Sequence, residues 1–225
     1  MNSSRERLFA NVRAALRRAA SPPLDQAAPL AALSSPVPRS DRNRFTRNLL
    51  TNLFVQNLET LAGKALLVPD ANSVVPALNP LIEGKWVVAS NSPYLDKCGI
   101  TALPQVRTRI TDRDELRQAC ATADIGITGV EFALAETGTF VLLSGPQQAR
   151  LISLLPPVHI AVFSSSRILA NLSELLSVVP LPAEQTSSMV LITGPSRTAD
   201  IEQFLVRGVH GPGEVYAVIV EDENE

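Results

Sequence analysis

The chain has 225 residues, a formal net charge of −2 and an apolar fraction of 45%, which is enough for one substantial domain with an arm and excludes a wholly disordered chain. It contains no apolar run of the roughly 18 residues that a membrane-spanning helix needs. Its acidic body carries no basic patch, which argues against nucleic-acid binding.

The two cysteines, Cys98 and Cys120, are too few and too far apart for a disulfide scaffold, a metal site or an iron–sulfur cluster held by this chain. The first twenty residues contain five arginines and lack the apolar core of a signal peptide. We therefore expect a cytoplasmic protein that holds no cofactor or metal of its own.

Basic residues are concentrated near the amino terminus, because residues 1–50 contain nine arginines and three acidic residues. Residues 3–20 predict a short amphipathic helix, and five prolines between positions 21 and 40 predict an extended linker. We expect residues 1–40 to be an arm that packs on its own body or on a neighbouring subunit, and residues 41–225 to be the domain. A membrane-surface or targeting helix is the alternative function of the arm.

Helical stretches alternate with short apolar runs along the domain, after a first helix predicted over residues 42–61 and ended by Gly63. Strands are predicted at 64–68, 85–89, 124–128, 158–163, 188–193 and 214–220. Helices are predicted at 71–82, 112–121, 146–155, 166–176 and 198–206. Several of these strands are apolar throughout, which is typical of a parallel sheet covered on both faces.

One interruption of this alternation predicts a β-hairpin. Residues 132–136 and 139–143 are predicted strands, and Thr137 and Gly138 form a two-residue turn between them. The sheet is therefore expected to be mixed. The predicted fold class is α/β, with a mixed sheet sandwiched by helices and an amino-terminal helical arm.

Polar residues at the carboxyl ends of strands are the first candidates for a site, because ligands of open α/β sheets bind beyond those ends. The segment 193–200 follows one predicted strand and opens the predicted helix 198–206. Arg197 offers a forked partner for a carboxylate, whereas acidic residues in the first helical turn would repel a multiply charged phosphate. The candidate substrate-binding residues are Thr193, Gly194, Ser196, Arg197, Thr198 and Asp200. The alternative is a capped helix with a surface pair between Arg197 and Asp200.

Glu136 is the candidate catalytic residue. Alternation along the hairpin would place its carboxyl on the same apolar face as Phe132 and Leu134, where burial raises the pKa of a carboxyl. Such a group suits a general acid, base or nucleophile, and the turn residues Thr137 and Gly138 lie beside it. The alternative is a solvated residue next to a turn. We expect Glu136 and the segment 196–200 to line one pocket at the carboxyl edge of the sheet.

Two histidines, His159 and His210, are further candidates. Each precedes or begins a predicted strand, which places it at the amino edge of the sheet and favours a structural role. Two histidines so far apart in sequence are weak evidence for a metal site.

Three segments of the sequence, TGVEFALAETGTFVLLSG, PPVHIAVF and ITGPSRTADIEQFLVRGVHGP, together resemble the lactate-utilisation protein C family, also called the LUD domain. The resemblance covers about residues 41–220. It implies a fold like the CoA transferases and ribose-5-phosphate isomerases, a Rossmann-like mixed α/β sandwich. The matched motif positions are Thr128, Gly129, 136–139, Arg150, His159, 193–198, Asp200, Glu202, His210 and Gly211.

The resemblance also implies a function. Members of this family take part in the oxidation of L-lactate to pyruvate, alongside iron–sulfur proteins, one of which carries the same domain with cysteine-rich segments. This sequence lacks those segments, so we expect a cluster-free accessory subunit of an iron–sulfur lactate oxidase or dehydrogenase. It would bind a small carboxylate or a partner subunit, with a homo-oligomer as a further option. The alternative is a self-sufficient CoA-transferase-like or isomerase-like enzyme acting on a small acid or its CoA ester, with Glu136 as nucleophile or base.

Overall fold

The computed structural model describes Ala14, which is helical, and residues 44–179, 186–199 and 205–221. The chain divides into two units, Met1–Val37 and Pro38–Glu225, and the fold described below belongs to the second. The predicted arm, apart from Ala14, lies outside the described residues, as do Asp200 and Glu202.

A six-stranded sheet forms the centre of the second unit, and all of its strand pairs are parallel. Its strands are β1 (Lys64–Val68), β2 (Val87–Ala89), β3 (Val106–Arg107), β4 (Ile125–Gly129), β7 (Val158–Ser164) and β12 (Glu214–Val220). They lie in the order β1-β12-β7-β4-β2-β3. The strands predicted at 64–68, 124–128, 158–163 and 214–220 are confirmed. The apolar runs of β4, β7 and β12 are buried on both faces along most of their length, whereas β1 lies at the edge of the sheet and is only partly buried.

A second, four-stranded sheet contains the predicted hairpin. Its strands are β5 (Phe132–Leu134), β6 (Thr139–Leu143), β8 (Ile168–Leu169) and β9 (Met189–Ile192), in the order β8-β5-β6-β9. The strand predicted at 188–193 is therefore β9, which pairs antiparallel with β6 rather than joining the parallel sheet. The two-residue turn is wrong, because Leu134 pairs with Thr139 and leaves the four residues 135–138 in the turn.

Six helices flank the sheets in the described part of the chain. They are α1 (Arg44–Thr60), α2 (Val74–Ile82), α3 (Pro93–Lys97), α4 (Arg113–Thr122), α5 (Leu151–Leu154) and α6 (Leu172–Val178). Side chains fix two of the starts: Asp112 accepts a hydrogen bond from the Glu115 amide, and Asn171 accepts one from the Glu174 amide. The predicted helix 166–176 begins only at Leu172, because a 3₁₀ turn and β8 precede it.

The helix predicted at 198–206 is wrong. Residues 197–199 and 205–207 form β10 (Arg197–Ala199) and β11 (Leu205–Arg207), an antiparallel pair. The Ser196 amide donates to the Pro212 carbonyl, and the Gly208 amide donates to the Ser196 carbonyl. These long-range backbone bonds hold the segment extended, and tertiary pairing of this kind outweighs a modest helical propensity.

Three layers result from the packing on the two faces of the parallel sheet. On one face, α2 and α3 place Leu78, Ile82 and Leu95 against Ile127 and Ile160. On the opposite face, α1 and the second sheet surround a cluster that includes Phe54, Leu58, Phe140, Phe163 and Ala217. The same face is covered near β2 by α4 and α5. The predicted α/β sandwich is thereby confirmed, but the hairpin does not make the central sheet mixed, because it belongs to the second sheet, which combines parallel and antiparallel pairs.

Candidate functional site

The chain reverses its direction across the parallel sheet between β2 and β4. After β2 it passes to α3, whose Leu95 packs on the face that α2 covers. After β4, the neighbour of β2, it passes to the β5–β6 hairpin, whose Ala133 and Phe140 pack on the opposite face. Adjacent parallel strands whose connections leave toward opposite faces define a topological switch point, where open α/β sheets bind their ligands.

A crevice of about 410 Å³ lies beside this switch point. Residues following β2 form one side of it, α4 and α5 form another, and the loop 145–149 closes it. Its floor is apolar, since Ala89 and Ile152 are almost fully buried there. Arg113, which is exposed, is the charged residue among the described residues that line it.

Asn91 fixes the wall of this crevice. Its side-chain oxygen accepts hydrogen bonds from the Thr108 hydroxyl at 2.9 Å and the Arg109 amide at 2.7 Å. Its own amide donates to the Gln147 carbonyl at 2.8 Å. The end of β2 is therefore tied both to the segment after β3 and to the loop that closes the crevice.

Gln148 ties the same loop to β4. Its Nε2 donates to the Gly129 carbonyl at 2.6 Å. Its Oε1 is buried and accepts no hydrogen bond from the described residues. A buried acceptor without a donor costs about 1–3 kcal/mol.

Glu131 follows β4 and carries a largely buried carboxyl. Burial raises the pKa of this carboxyl, while the hydrogen bond from the Leu143 amide and the nearby charge of Arg167 lower it in part. Sequence reasoning missed this residue and Asn91. Both lie within three residues of the end of a predicted strand, so the rule that selected residues 193–200 would have found them if it had been applied to β2 and β4.

Glu136 is exposed and does not line this crevice. It belongs to the four-residue turn 135–138, so its side chain does not continue the apolar face of Phe132 and Leu134 as predicted. The main chain of this turn, rather than the Glu136 side chain, is fixed by hydrogen bonds. Asn57 Nδ2 donates to the carbonyls of Ala135 and Glu136 at 2.8 and 3.0 Å.

Three threonines connect the turn 135–138 to the segment 193–197. The hydroxyls of Thr137 and Thr139 lie 2.7 Å apart, and those of Thr139 and Thr193 lie 2.8 Å apart. The turn 135–138 and the segment 193–197 both pack closely against the end of α1. A Cβ on Gly138 would lie 2.4 Å from the Leu58 amide nitrogen, and one on Gly194 would lie 3.0 Å from Leu61 Cβ. We call this cluster of residues 135–139 and 193–197 the threonine clasp.

The threonine clasp lies at the amino edge of the parallel sheet, because Leu61 precedes β1 and Pro212, bonded to Ser196, precedes β12. Arg197 donates to the Leu61 carbonyl, so its guanidinium is already engaged. The predicted segments thus meet, but the predicted carboxyl-edge location is wrong, because β9 and the hairpin run antiparallel in a second sheet. The side chain of Thr198, like Asp200, is outside the described part of the chain.

The two histidines have different surroundings. His159 on β7 is fully buried, with its Nε2 2.8 Å from the Thr128 hydroxyl and its ring edge-on to Phe140. Burial lowers the pKa of His159 to about 3, so the imidazole is neutral at physiological pH. His210 is exposed in the loop 208–213 that contacts Ser196.

Within residues 44–179, 186–199 and 205–221, no three His, Cys, Asp or Glu side chains are grouped so that they could hold a metal ion. Cys98 and Cys120 are both buried, and burial raises the pKa of the Cys120 thiol to about 11. None of the described helices combines the length and apolar character needed to cross a membrane.

Comparison with known families identifies the class of the chain. The model of the LUD domain matches residues 51–220. The chain therefore belongs to the LUD domain family, as its sequence motifs indicated.

Relatives in this family include proteins named lactate utilization protein C. The one from Halalkalibacterium halodurans is 39% identical over 145 residues, which are 60% of this chain and 63% of that protein. The one from Geobacillus thermodenitrificans is 33% identical over 188 residues, 81% of this chain and 73% of that protein. The match to the first relative thus spans less than two thirds of its length.

A crystal structure shares the fold. A DUF162 family protein from Deinococcus radiodurans matches with a TM-score of 0.59 and 21% identity, over 77% of this chain and 98% of that chain. At this identity the likeness supports the α/β architecture and carries no argument about the ligand.

Proposed function

We propose that this protein is a component of an L-lactate utilisation system and that it binds a small carboxylate in the crevice at the carboxyl edge. The names of its relatives support the first part. The observation that carries the second is the crevice itself, which opens at the switch point between β2 and β4 and has Arg113 at its mouth.

Arg113 is suited to hold the carboxylate. It makes no ion pair with the described residues, so its forked guanidinium is available for bidentate hydrogen bonding. Thr111 adds a hydroxyl at the same mouth.

Electron transfer is assigned to partner proteins in this proposal. The chain has only two cysteines, and both are buried in different apolar clusters, so the redox centres would be on cytoplasmic iron–sulfur lactate-utilisation proteins. Affinity capture with the full chain should then recover proteins that contain iron–sulfur clusters. Turnover of acyl-CoA esters by the isolated chain would instead favour the self-sufficient enzyme.

A thermal-shift titration with L-lactate and pyruvate tests the carboxylate site. A ligand at 100 times its Kd adds about 2.7 kcal/mol, or roughly 5–10 °C for a chain of this size. Arg113→Ala should abolish the shift, whereas Arg117→Ala, one turn further along α4 and outside the crevice, should retain it. Glu136→Gln and Arg197→Ala test, in the same assay, whether the ligand binds instead beside the residues that the sequence predicted. Loss of the shift in these two variants but not in Arg113→Ala would move the site to the threonine clasp.

A further inference from the structure

The crevice is much larger than lactate. Lactate has six heavy atoms, which need less than about 180 Å³ if each takes at most the roughly 30 Å³ of a water molecule in the liquid. The crevice has about 410 Å³, which falls in the range of pockets that enclose larger ligands. A lactate bound to Arg113 would leave more than half of this space unfilled.

The unfilled space is bounded by apolar side chains. Ile110, Leu116 and Ala149 are half-buried and line the crevice, and they pack on the buried cluster that contains Ile152. Filling such a surface with an apolar group removes it from water and is favourable. Of the polar lining residues, Arg113 and Thr111 are exposed at the mouth, and the half-buried Asn91 already accepts two hydrogen bonds through its side-chain oxygen.

We infer that the crevice binds a monocarboxylic acid with an apolar body of about six or more carbons, with its carboxylate on Arg113 and its body between Leu116, Ala149 and Ile152. This inference rests on the proposed carboxylate site and specifies the class of acid that the site takes. Lactate, which has only a methyl group to place on the floor, is then a weak ligand of the same crevice.

Calorimetric titration of the full chain with straight-chain monocarboxylates of three to eight carbons tests the inference. Affinity should increase roughly four-fold for each methylene, the equivalent of about 0.8 kcal/mol per buried CH₂. Across this series the gain should approach three orders of magnitude. An affinity independent of chain length overturns the inference.

Variants locate the binding. Ala149→Leu, which fills part of the crevice, should weaken the eight-carbon acid at least ten-fold and leave the three-carbon acid nearly unchanged. Ala121→Leu, an exposed alanine of α4 outside the crevice, is the matched control. Leu116→Gln provides a second test that does not depend on accommodating a larger side chain. If the affinity depends on chain length but neither Ala149→Leu nor Leu116→Gln changes it, the acid binds elsewhere and the inference is also overturned.

Binding measurements on Arg113→Ala distinguish a failure of this inference from a failure of the proposed carboxylate site. If chain length has no effect and Arg113→Ala abolishes binding, the carboxylate site stands and the apolar class is wrong. If affinity depends on chain length and on Ala149 but not on Arg113, the apolar body is supported and the proposed carboxylate contact fails.

Discussion

The threonine clasp and the crevice differ in how completely their polar groups are paired. At the amino edge, the threonine clasp pairs its hydroxyls with one another and its main chain with Asn57. At the carboxyl edge, a crevice is open, Gln148 retains a buried unpaired acceptor and Glu131 is a largely buried carboxyl. A dense sequence motif can therefore also reflect a tightly packed junction between segments.

A single sequence motif reaches both edges. Gly129 ends β4 at the carboxyl edge and is followed by Glu131, whereas residues 135–138 form the turn of the clasp at the amino edge. Substitutions within this single segment should therefore have different kinds of effect, on ligand binding at one end and on stability at the other.

The largest effect is expected from Gly138→Ala. Gly138 has a φ of +61°, and a Cβ there would overlap the main chain of α1 at Leu58. The left-handed backbone alone costs an alanine about 1–2 kcal/mol, and the overlap adds to it, so we expect a loss of about 3 kcal/mol or more in urea unfolding. Gly84→Ala is the control, because its φ is +67° but no atom lies within 4 Å of the added Cβ. Equal losses in the two variants would show that the clasp is not tightly packed.

The next largest effect is the loss of folding stability in acid that His159 causes. The pKa of His159 is lowered to about 3 in the fold, whereas an unfolded histidine titrates near 6.5. Between these values only the unfolded chain binds the proton, so stability is lost as pH falls, by about 1.4 kcal/mol per pH unit. Lowering the pH from 7 to 5 should cost about 2 kcal/mol through this residue. His159→Gln should remove that part of the slope and His210→Gln should keep it, as measured by urea unfolding at each pH.

A smaller effect is expected for the hydroxyl chain. Thr193→Val keeps the shape of the side chain and leaves Thr139 with one partner fewer, which should cost about 1 kcal/mol. The same variant should bind carboxylates as the unchanged chain does. A loss of binding without a loss of stability would place the ligand at the amino edge.

The smallest effect is expected from Glu131→Gln. Burial raises the pKa of this carboxyl in the folded protein. Between the ordinary glutamate pKa and this raised pKa, only the folded chain keeps the proton, so the free energy of unfolding falls as the pH rises through this range. Glutamine is neutral and still accepts from the Leu143 amide, so the variant should be slightly more stable at pH 7, by less than the His159 effect. The gain should disappear below about pH 4, where both residues are neutral.

The fold was predictable where apolar residues are continuous in the sequence. The runs that form β1, β4, β7 and β12 were recognisable as strands, although β1 is only partly buried at the edge of its sheet. The run at 188–193 is equally apolar, but half-buried β9 uses it in the second sheet, and periodicity does not distinguish the two environments. The segment 197–207 was misassigned because its pairing depends on the distant loop 208–213.

The carboxyl-edge site was predictable only in part. Asn91 and Glu131 follow strands, so strand-end position alone could have identified them. Arg113 could not be assigned in this way, because its place at the crevice depends on how α4 packs beside β2 and the loop 145–149. That packing is a property of the tertiary structure and leaves no local pattern in the sequence.

The three hydroxyls of the clasp also have a directional property. Each threonine both donates and accepts, so the chain from Thr137 through Thr139 to Thr193 has two equivalent polarities. Reversing the polarity rotates three protons and moves no heavy atom. Because Thr137 and Thr193 are exposed and Thr139 is buried, the proton orientation at one surface position is coupled through the interior to that at the other.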